Sequence, residues 1–482
     1  MVSWHLQSWH IFTGSVTFLI SVFSSSHAIL RRKDPRAALW WMAVIWFVPF
    51  IGAVLYYLFG INRIKRKARR KRSENKPPVD IPSPPKDGSI MSSDLPRNIQ
   101  HLIAQAHLVD QVVENPLIKG NRVVPFVNGD EAYPQMLEAI EKSKQSISLM
   151  TYLFKHDCIG KKFIQALGRA VTRKVKVRVL VDGMGSGFEF PSILNAFKSA
   201  KIKAAFFNPT LALWRMSYVN LRNHRKCLII DGKEAFTGGM NIFEGHSLGL
   251  NPRFPTQDIQ FKIEGPVAAQ LQDTFREDWY FATKELIEGD DWYPSIKDQG
   301  TTLARAIKDG PDENFEKCRW VMLGALTNAV KSIKVVTPYF VPDQTLITTL
   351  NLAAMSGIRV DIVLPQINNQ LMVKWASMAM LWQVLEKGCH VWITPPPFDH
   401  SKLMVVDGGW SFIGSTNWDE RSLRLNFELN VECYDEELAK SIDHIIEEKI
   451  KKAKQLTLAD VDGRPLSIKL RDGVARLFSP HL

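Results

Sequence analysis

The chain has no Cys-x-x-Cys pair and no even set of cysteines: Cys158, Cys227, Cys318, Cys389 and Cys433 are odd in number and scattered. That excludes a disulfide framework and a structural zinc site, and it fits a reducing compartment. Nor does a carboxylate cluster of the kind that holds Mg²⁺ stand out. A broadly cationic surface is missing as well. The net charge is +12, but eight of the ten residues from Arg63 to Arg72 are basic, so the rest of the 482 residues is close to balance. One basic patch argues against a protein that coats nucleic acid. Charge is absent altogether from two stretches, Ile11 to Leu30 and Ala37 to Phe59, which contain no Asp, Glu, Lys or Arg.

Both uncharged stretches are long enough to span a bilayer. Trp40, Trp41, Tyr56 and Tyr57 lie near the two ends of the second, where aromatic belts sit. Pro49 within it is tolerable in a membrane helix. The expectation is a pair of transmembrane helices at about 11–30 and 37–59. A cleaved signal peptide fits the first poorly, since its leading region is uncharged. The positive-inside rule places both the turn Arg31 to Arg36 and the run Arg63 to Arg72 in the cytoplasm, whereas two full spans place them on opposite sides. The longer run sets the orientation and puts the large domain in the cytoplasm; a hairpin that does not fully cross satisfies both. The same run also attracts anionic lipid. Lys76 to Gly88, with five prolines, reads as a semi-stiff linker.

The rest of the chain, of ordinary globular composition, contains a repeated pattern. His224-Arg-Lys226-Cys-Leu-Ile-Ile-Asp231 is followed by Gly238-Gly239-Met-Asn241, and His400-Ser-Lys402-Leu-Met-Val-Val-Asp407 by Gly414-Ser415-Thr-Asn417. Both read His-x-Lys-x4-Asp-x6-Gly-[Gly/Ser]-x-Asn. One such hit is weak; two with the same extension are not an accident of composition. The surroundings repeat too. Ala139 to Phe154 and Ala325 to Phe340 each read helix then apolar strand. Helices Lys161 to Thr172 and Thr345 to Met355 precede strands Val175 to Val181 and Ile358 to Leu364. Strands Lys203 to Phe207 and His390 to Thr394 precede each motif, and the buried runs Cys227 to Ile230 and Leu403 to Val406 follow each His-x-Lys. This alternation predicts a duplicated α/β domain, two halves with mostly parallel sheets sharing one site. The expected division is 1–62 membrane helices, 63–100 basic segment and linker, 101–300 first half, 301–482 second half. An insertion in the first half, Leu211 to Arg222 with Trp214, Met216 and Tyr218, reads as a surface loop or as a lipid-facing lip of the site.

His and Lys two residues apart on a strand face the same way. Two copies packed together present two imidazoles and two ammoniums, the set that phosphodiester chemistry needs. One His attacks phosphorus. The other protonates the leaving alkoxide and deprotonates the incoming hydroxyl. Lys226, Lys402, Asn241 and Asn417 hold the non-bridging oxygens, so neither metal nor cofactor is called for. A carboxylate on the second ring nitrogen keeps each His aimed. The candidates are Asp258 and Glu428, each on an apolar strand after its motif. Asp231 and Asp407, each before a Gly, read as braces for the loop or for a motif Lys. Gly239 and Ser415 complete the set. His246, Cys227 and His27 read as structural.

The paired motif resembles that of the phospholipase D superfamily, and more narrowly that of bacterial cardiolipin synthases. The likeness extends over nearly the whole chain. It includes Leu55-Tyr-Tyr-Leu-Phe-Gly60, Asn128-Gly-Asp-Glu-Ala-Tyr133, Asp182-Gly-Met-Gly-Ser186 and Thr337-Pro-Tyr-Phe-Val-Pro-Asp343. It also includes Asn417-Trp-Asp-Glu-Arg-Ser-Leu-Arg-Leu-Asn-Phe-Glu428 and the terminal Ala475-Arg-Leu-Phe-Ser-Pro-His-Leu482. Trp418 and Glu420 depart from the pattern in a variable part of it. The resemblance implies a multi-pass bacterial inner-membrane enzyme that converts two phosphatidylglycerols into cardiolipin and glycerol. It implies His224 as nucleophile and His400 as acid and base, although the pseudo-symmetry leaves that order open. Rival readings are a hydrolase on the same scaffold, a transferase to another acceptor such as phosphatidylethanolamine, a nuclease, and a non-catalytic membrane scaffold.

Overall fold

The computed structural model describes residues 2–31, 35–60, 91–186, 192–208 and 221–479. The basic run, the Pro-rich linker, the insertion residues Trp214, Met216 and Tyr218, and the last three residues of the terminal motif lie outside them. The chain divides into two compact units, Met1–Lys67 and Ala68–Leu482.

In the first unit, α1 (Val2–Arg31) is followed by α2 (Pro35–Phe47) and α3 (Ile51–Leu55). Trp9–Arg31 is long and apolar enough to cross a membrane, and it is the one such helix among the described residues. The second expected span is not one continuous helix. It breaks between α2 and α3, where Pro49 removes a backbone donor and Phe50 takes a φ of 66°. Thirteen residues of α2 reach only about 20 Å, short of a hydrocarbon core of about 30 Å. Past the break, a Cβ on Gly52 would lie 2.2 Å from the Val44 carbonyl oxygen, so glycine alone permits the tight bend. Ala28, Ile45 and Tyr56 pack together with Trp41 against them, and His27 Nδ1 lies 2.8 Å from the Tyr56 hydroxyl. Phe12, Leu19, Phe23, Trp40 and Phe47 are left exposed, an apolar surface unsuited to water.

The second unit is built on one 15-stranded sheet with two small two-stranded sheets beside it. The first half supplies β1 (Ile118–Val127), β2 (Ser146–Thr151), β3 (Lys176–Asp182), β4 (Lys203–Phe207), β5 (Cys227–Ile230), β6 (Glu234–Gly238), β7 (Thr256–Gln257) and β8 (Ile259–Glu264). The second half supplies β9 (Thr302–Asp309), β10 (Ser332–Val336), β11 (Phe340–Val341), β12 (Arg359–Pro365), β13 (His390–Thr394), β14 (Phe398–Asp399), β15 (Leu403–Val406), β16 (Trp410–Gly414), β17 (Trp418–Asp419), β18 (Glu428–Tyr434) and β19 (Lys454–Leu456). The order β1-β8-β6-β5-β2-β3-β4 in one half is matched by β9-β18-β16-β15-β10-β12-β13 in the other. β1 pairs with β9, so the two sheets run into one. The duplication expected from sequence is therefore present strand for strand.

The sheets are not mostly parallel, however. In the large sheet only β2–β3–β4 and β10–β12–β13 run parallel; all its other described neighbours are antiparallel. Helices such as Cys158–Thr172 and Gln344–Met355 form crossovers within the parallel trios, whereas β5–β6 and β15–β16 are tight hairpins and must be antiparallel. The helix Ile103–Val112 falls within the expected first half, 101–300, but packs in the core of the second, with Ala106 and Val109 among Val321, Ile333 and Met404. Gln105 Nε2 donates to the Val321 carbonyl at 2.9 Å.

Asp231 and Asp407 close the turns after β5 and β15, both in the left-handed region with φ of 50° and 52°. The Asp231 carboxylate accepts from the amides of Lys144, Gln145 and Ser146. That of Asp407 accepts from Val330, Lys331 and Ser332 and pairs with His101 Nε2 at 2.6 Å. Each thus pins the loop entering β2 or β10. Charge-assisted bonds of this kind contribute about 1.5–3 kcal/mol each, and orphaned buried amides are costly. Asp407→Ala is expected to destabilise the large unit by at least about 3 kcal/mol. Denaturant titration checks this, and an unchanged midpoint would rule out the bracing role.

Candidate active site

The two motif histidines line one cleft of about 370 Å³ between the halves, together with Tyr152, Tyr339, Asn241 and Asn417. The path to each His explains how they meet. Asn223 forms an isolated parallel bridge with Phe427, and the His224 amide donates to the Phe427 carbonyl at 2.9 Å. In the other half β14 pairs with β7, and the His400 amide donates to the Gln257 carbonyl at 2.8 Å. Each His thus runs beside the segment that carries the other half's carboxylate.

The result is a crossed arrangement. His224 Nδ1 lies 2.9 and 3.1 Å from the two oxygens of Glu428. His400 Nδ1 lies 2.7 Å from Asp258 Oδ2. All four side chains are nearly or fully buried. With Nδ1 held by a carboxylate, Nε2 is the nitrogen left to act. The glycine and serine of the motif extension fit the two carboxylates differently. A Cβ on Gly239 would stand 2.4 Å from Asp258 Oδ1. At the equivalent position Ser415 donates its hydroxyl to Glu428 Oε2.

The lysines lie behind the histidines. Lys226 Nζ donates to the His224 carbonyl at 2.6 Å and sits over the Tyr152 ring. Lys402 Nζ donates to the His400 carbonyl and lies 3.1 Å from His400 Nδ1. Burial pulls Lys226 down to about 7 and Lys402 to about 8, each against the opposing pull of Asp258 and Glu428. Burial also lowers both imidazoles. His400 falls further, since the Lys402 and Lys226 charges add to burial, whereas Glu428 partly restores His224. The Asp258 carboxyl is raised by burial. Burial raises Glu428 too, but His224 and Lys226 outweigh it and hold that carboxyl below its ordinary range.

Asn241 accepts from the Leu153 amide through Oδ1, which leaves its NH₂ for the cleft. Asn417 Nδ2 donates to Ser422 Oγ at 3.0 Å. His224, Lys226, His400, Lys402, Asp258, Glu428, Asn241, Asn417, Gly239 and Ser415 thus converge. Asp231 and Asp407 do not; they bind the turn amides described above. His246 lines the cleft as well. Both its ring nitrogens are engaged, by the Thr256 carbonyl and the Asn241 amide, and burial lowers it to about 4. Cys227 is buried, with its thiol pushed upward. Arg222, Asp419 and Arg421 also line the cleft and were not singled out from sequence. The signal available was their proximity to the motifs: Arg222 precedes His224 by two residues, and Asp419 and Arg421 follow Asn417. No group of three or more His, Cys, Asp or Glu suited to a metal ion occurs among the described residues.

A duplicated α/β domain with two His-x-Lys sets facing one cleft defines a phospholipase D-like protein. Comparison with known proteins narrows this. The family described as cardiolipin synthase, PLD-like domain, matches residues 136–279 and 322–450. One described as phospholipase D-nuclease N-terminal matches residues 16–60. The cardiolipin synthase of Geobacillus thermodenitrificans is 31% identical, covering 97% of this chain and 92% of its own. The major cardiolipin synthase of Bacillus subtilis is 30% identical, covering 97% and 98%. Among solved structures, the phosphatidylserine synthase of Haemophilus influenzae superposes with a TM-score of 0.61 at 16% identity, over 78% of this chain and all of that one, a likeness of fold. The chain belongs to the cardiolipin synthase family of phospholipase D-like proteins.

The contact between Gly239 and Asp258 yields a test. Gly239→Ala is expected to push Asp258 off His400 and lower turnover by roughly a hundred-fold, the scale of a 1 Å misplacement. Ser415→Ala removes one hydroxyl and should cost far less. Equal rates for Gly239→Ala and wild type would show that Asp258 does not orient His400.

Proposed function

We propose that this protein is a membrane-anchored cardiolipin synthase, transferring a phosphatidyl group from one phosphatidylglycerol to a second. The observation that carries the reading is the pair of oriented imidazoles in one buried cleft, each on a carboxylate of the other half, in a chain whose full-length relatives are cardiolipin synthases. His224 Nε2 attacks phosphorus and the bond to the glycerol oxygen breaks, with His400 giving that oxygen its proton. A hydroxyl of the second lipid then loses its proton to His400 and attacks phosphorus. The P–N bond breaks, and cardiolipin and glycerol are the products. Phosphorylation makes the nucleophile's ring a cation, which is best tolerated beside the more firmly ionised carboxylate. Glu428, held below its ordinary range, is that carboxylate. Lys226, Lys402, Asn241 and Asn417 hold the non-bridging oxygens. Asp231 and Asp407 act only through the loops they brace. The apolar helix α1 keeps the enzyme at the bilayer where both substrates lie.

Replacing either His224 or His400 with Ala is expected to lower cardiolipin formation by more than about two orders of magnitude; full activity in either variant would refute a shared site. Phosphatidic acid as the dominant product from phosphatidylglycerol would favour the hydrolase instead. The order of the two histidines is read with a phosphatidyl ester of p-nitrophenol, whose leaving group needs no proton. His400→Ala should still release nitrophenolate and become labelled, whereas His224→Ala should do neither. The reverse result would exchange the roles.

Acidity offers a separate check. Anion binding needs the lysines protonated, and this is lost as pH rises through about 7 to 8. Attack needs a neutral His224, which its lowered proton affinity preserves below pH 6.5. With the p-nitrophenyl ester, whose leaving group needs no proton from His400, the kcat/KM profile should therefore fall on its basic side between pH 7 and 8 and hold on its acid side below 6.5. A basic limb at pH 9 or above would exclude these lysines as the controlling groups.

A further inference from the structure

The cleft departs from the two-fold relation between the halves at several positions, and two of them bring in an arginine. Two residues before the motif His, the first half has Arg222 and the second has Phe398. Four residues after the motif Asn, the first half has Gly245 and the second has Arg421. Both departures place a guanidinium in the cleft wall. They fall on one side of it. Arg222 and Arg421 are close enough that each charge acts on Tyr152 and that Arg421 lowers the proton affinity of Arg222, and the Tyr152 ring packs edge-on against His224 at 5.3 Å. The His400 side instead carries Phe398, with ring centroids 5.8 Å apart.

Arg222 is 3% exposed, yet neither terminal nitrogen of its guanidinium has a hydrogen-bond partner among the described residues. The nearest carboxylate, Asp182, stands 3.9 Å away and is already engaged by the amides of Met184, Gly185 and Asn223. Arg421 forms no ion pair or hydrogen bond through its side chain among the described residues, and the carboxylate on its own turn, Asp419, is committed to the Ser422 amide. A buried guanidinium without its full set of acceptors is costly, and a second cation beside it adds to the cost unless an anion completes the group.

The phosphate being transferred has its own cations, Lys226 and Lys402. The acceptor lipid brings a second phosphodiester, separated from the attacking hydroxyl by a three-carbon glycerol, and that charge needs its own seat. The spacing suits one on Arg222: two residues of extended chain between it and His224 span about 6–7 Å, comparable to a glycerol bridge between two phosphates. We propose that Arg222 and Arg421 bind the phosphate of the acceptor lipid. The assignment rests on the transferase reading above and adds to it the feature that separates transfer from hydrolysis. Water needs no anion seat, whereas a phosphatidylglycerol acceptor is held and aimed by one.

The test uses the full chain in phosphatidylglycerol vesicles containing labelled free glycerol. Three products are followed together: cardiolipin, phosphatidic acid, and labelled phosphatidylglycerol formed by exchange. Exchange uses the same phosphatidyl-enzyme but a neutral acceptor. For Arg421→Gln, on the partly exposed residue, and for Arg222→Gln, cardiolipin formed per glycerol exchanged should fall at least ten-fold, with phosphatidic acid rising in proportion. Arg421→Lys should recover part of the loss. A parallel fall of all three products, or an unchanged ratio, would overturn the acceptor assignment. A wild-type enzyme that makes phosphatidic acid and no cardiolipin would overturn the transferase reading itself, a separate outcome.

Discussion

Each motif imidazole is held by a carboxylate from the opposite half of the duplicated domain, and the rest of the site depends on that exchange. His224 leans on Glu428 and His400 on Asp258, because the segment ahead of each His runs parallel to the segment ahead of the other half's carboxylate. Neither half alone contains an aimed histidine. The continuous sheet through β1 and β9, and the helix Ile103–Val112 packed in the second half's core, fix the two halves in one register. A shift between them would displace both pairs at once. The packing of the large sheet and the orientation of the imidazoles are therefore one constraint.

The second constraint is charge. Two lysines, two histidines and two carboxylates share a volume from which water is largely excluded, where isolated charges are unfavourable. Part of the strain is relieved by weakening proton affinity: Lys226 comes down to about 7 and Lys402 to about 8. A bound phosphodiester would restore their protonation, its negative charge offsetting the cost of burial. The same property keeps His224 neutral and able to attack, while the negative charge of a bound phosphate favours the proton that His400 gives to the leaving oxygen. Charge that would destabilise an empty core becomes, with a phosphate present, preorganised stabilisation.

Much of this was legible in the sequence. The repeated His-x-Lys-x4-Asp pattern exposed the duplication, and the apolar runs Cys227–Ile230 and Leu403–Val406 are strands at those bounds. Asp258 and Glu428 stood out as carboxylates on apolar strands, yet their exchange between halves did not, since pairing across a pseudo-two-fold has no local signature. The strand directions were misjudged because apolar runs look alike in parallel and antiparallel sheets. The second membrane segment was read as continuous because Pro49 is tolerable in a lipid-embedded helix; the left-handed Phe50 that follows it is a backbone state no composition reveals. Arg222 passed unnoticed inside an insertion, since burial without partners is a property of the fold.

A symmetric scaffold has to become asymmetric to join two copies of one lipid. In the proposed reaction the donor is cleaved and the acceptor is not, so the two identical molecules occupy different positions, one centred on the histidines and one beside them. Strict two-fold symmetry would offer each lipid both positions and set the two attacks against each other. Two of the substitutions that break the symmetry, Arg222 opposite Phe398 and Arg421 opposite Gly245, place guanidiniums in the cleft and leave the His, Lys and Asn positions matched. The duplicated elements thus supply the phosphoryl chemistry, and the places where duplication has drifted supply the direction of transfer.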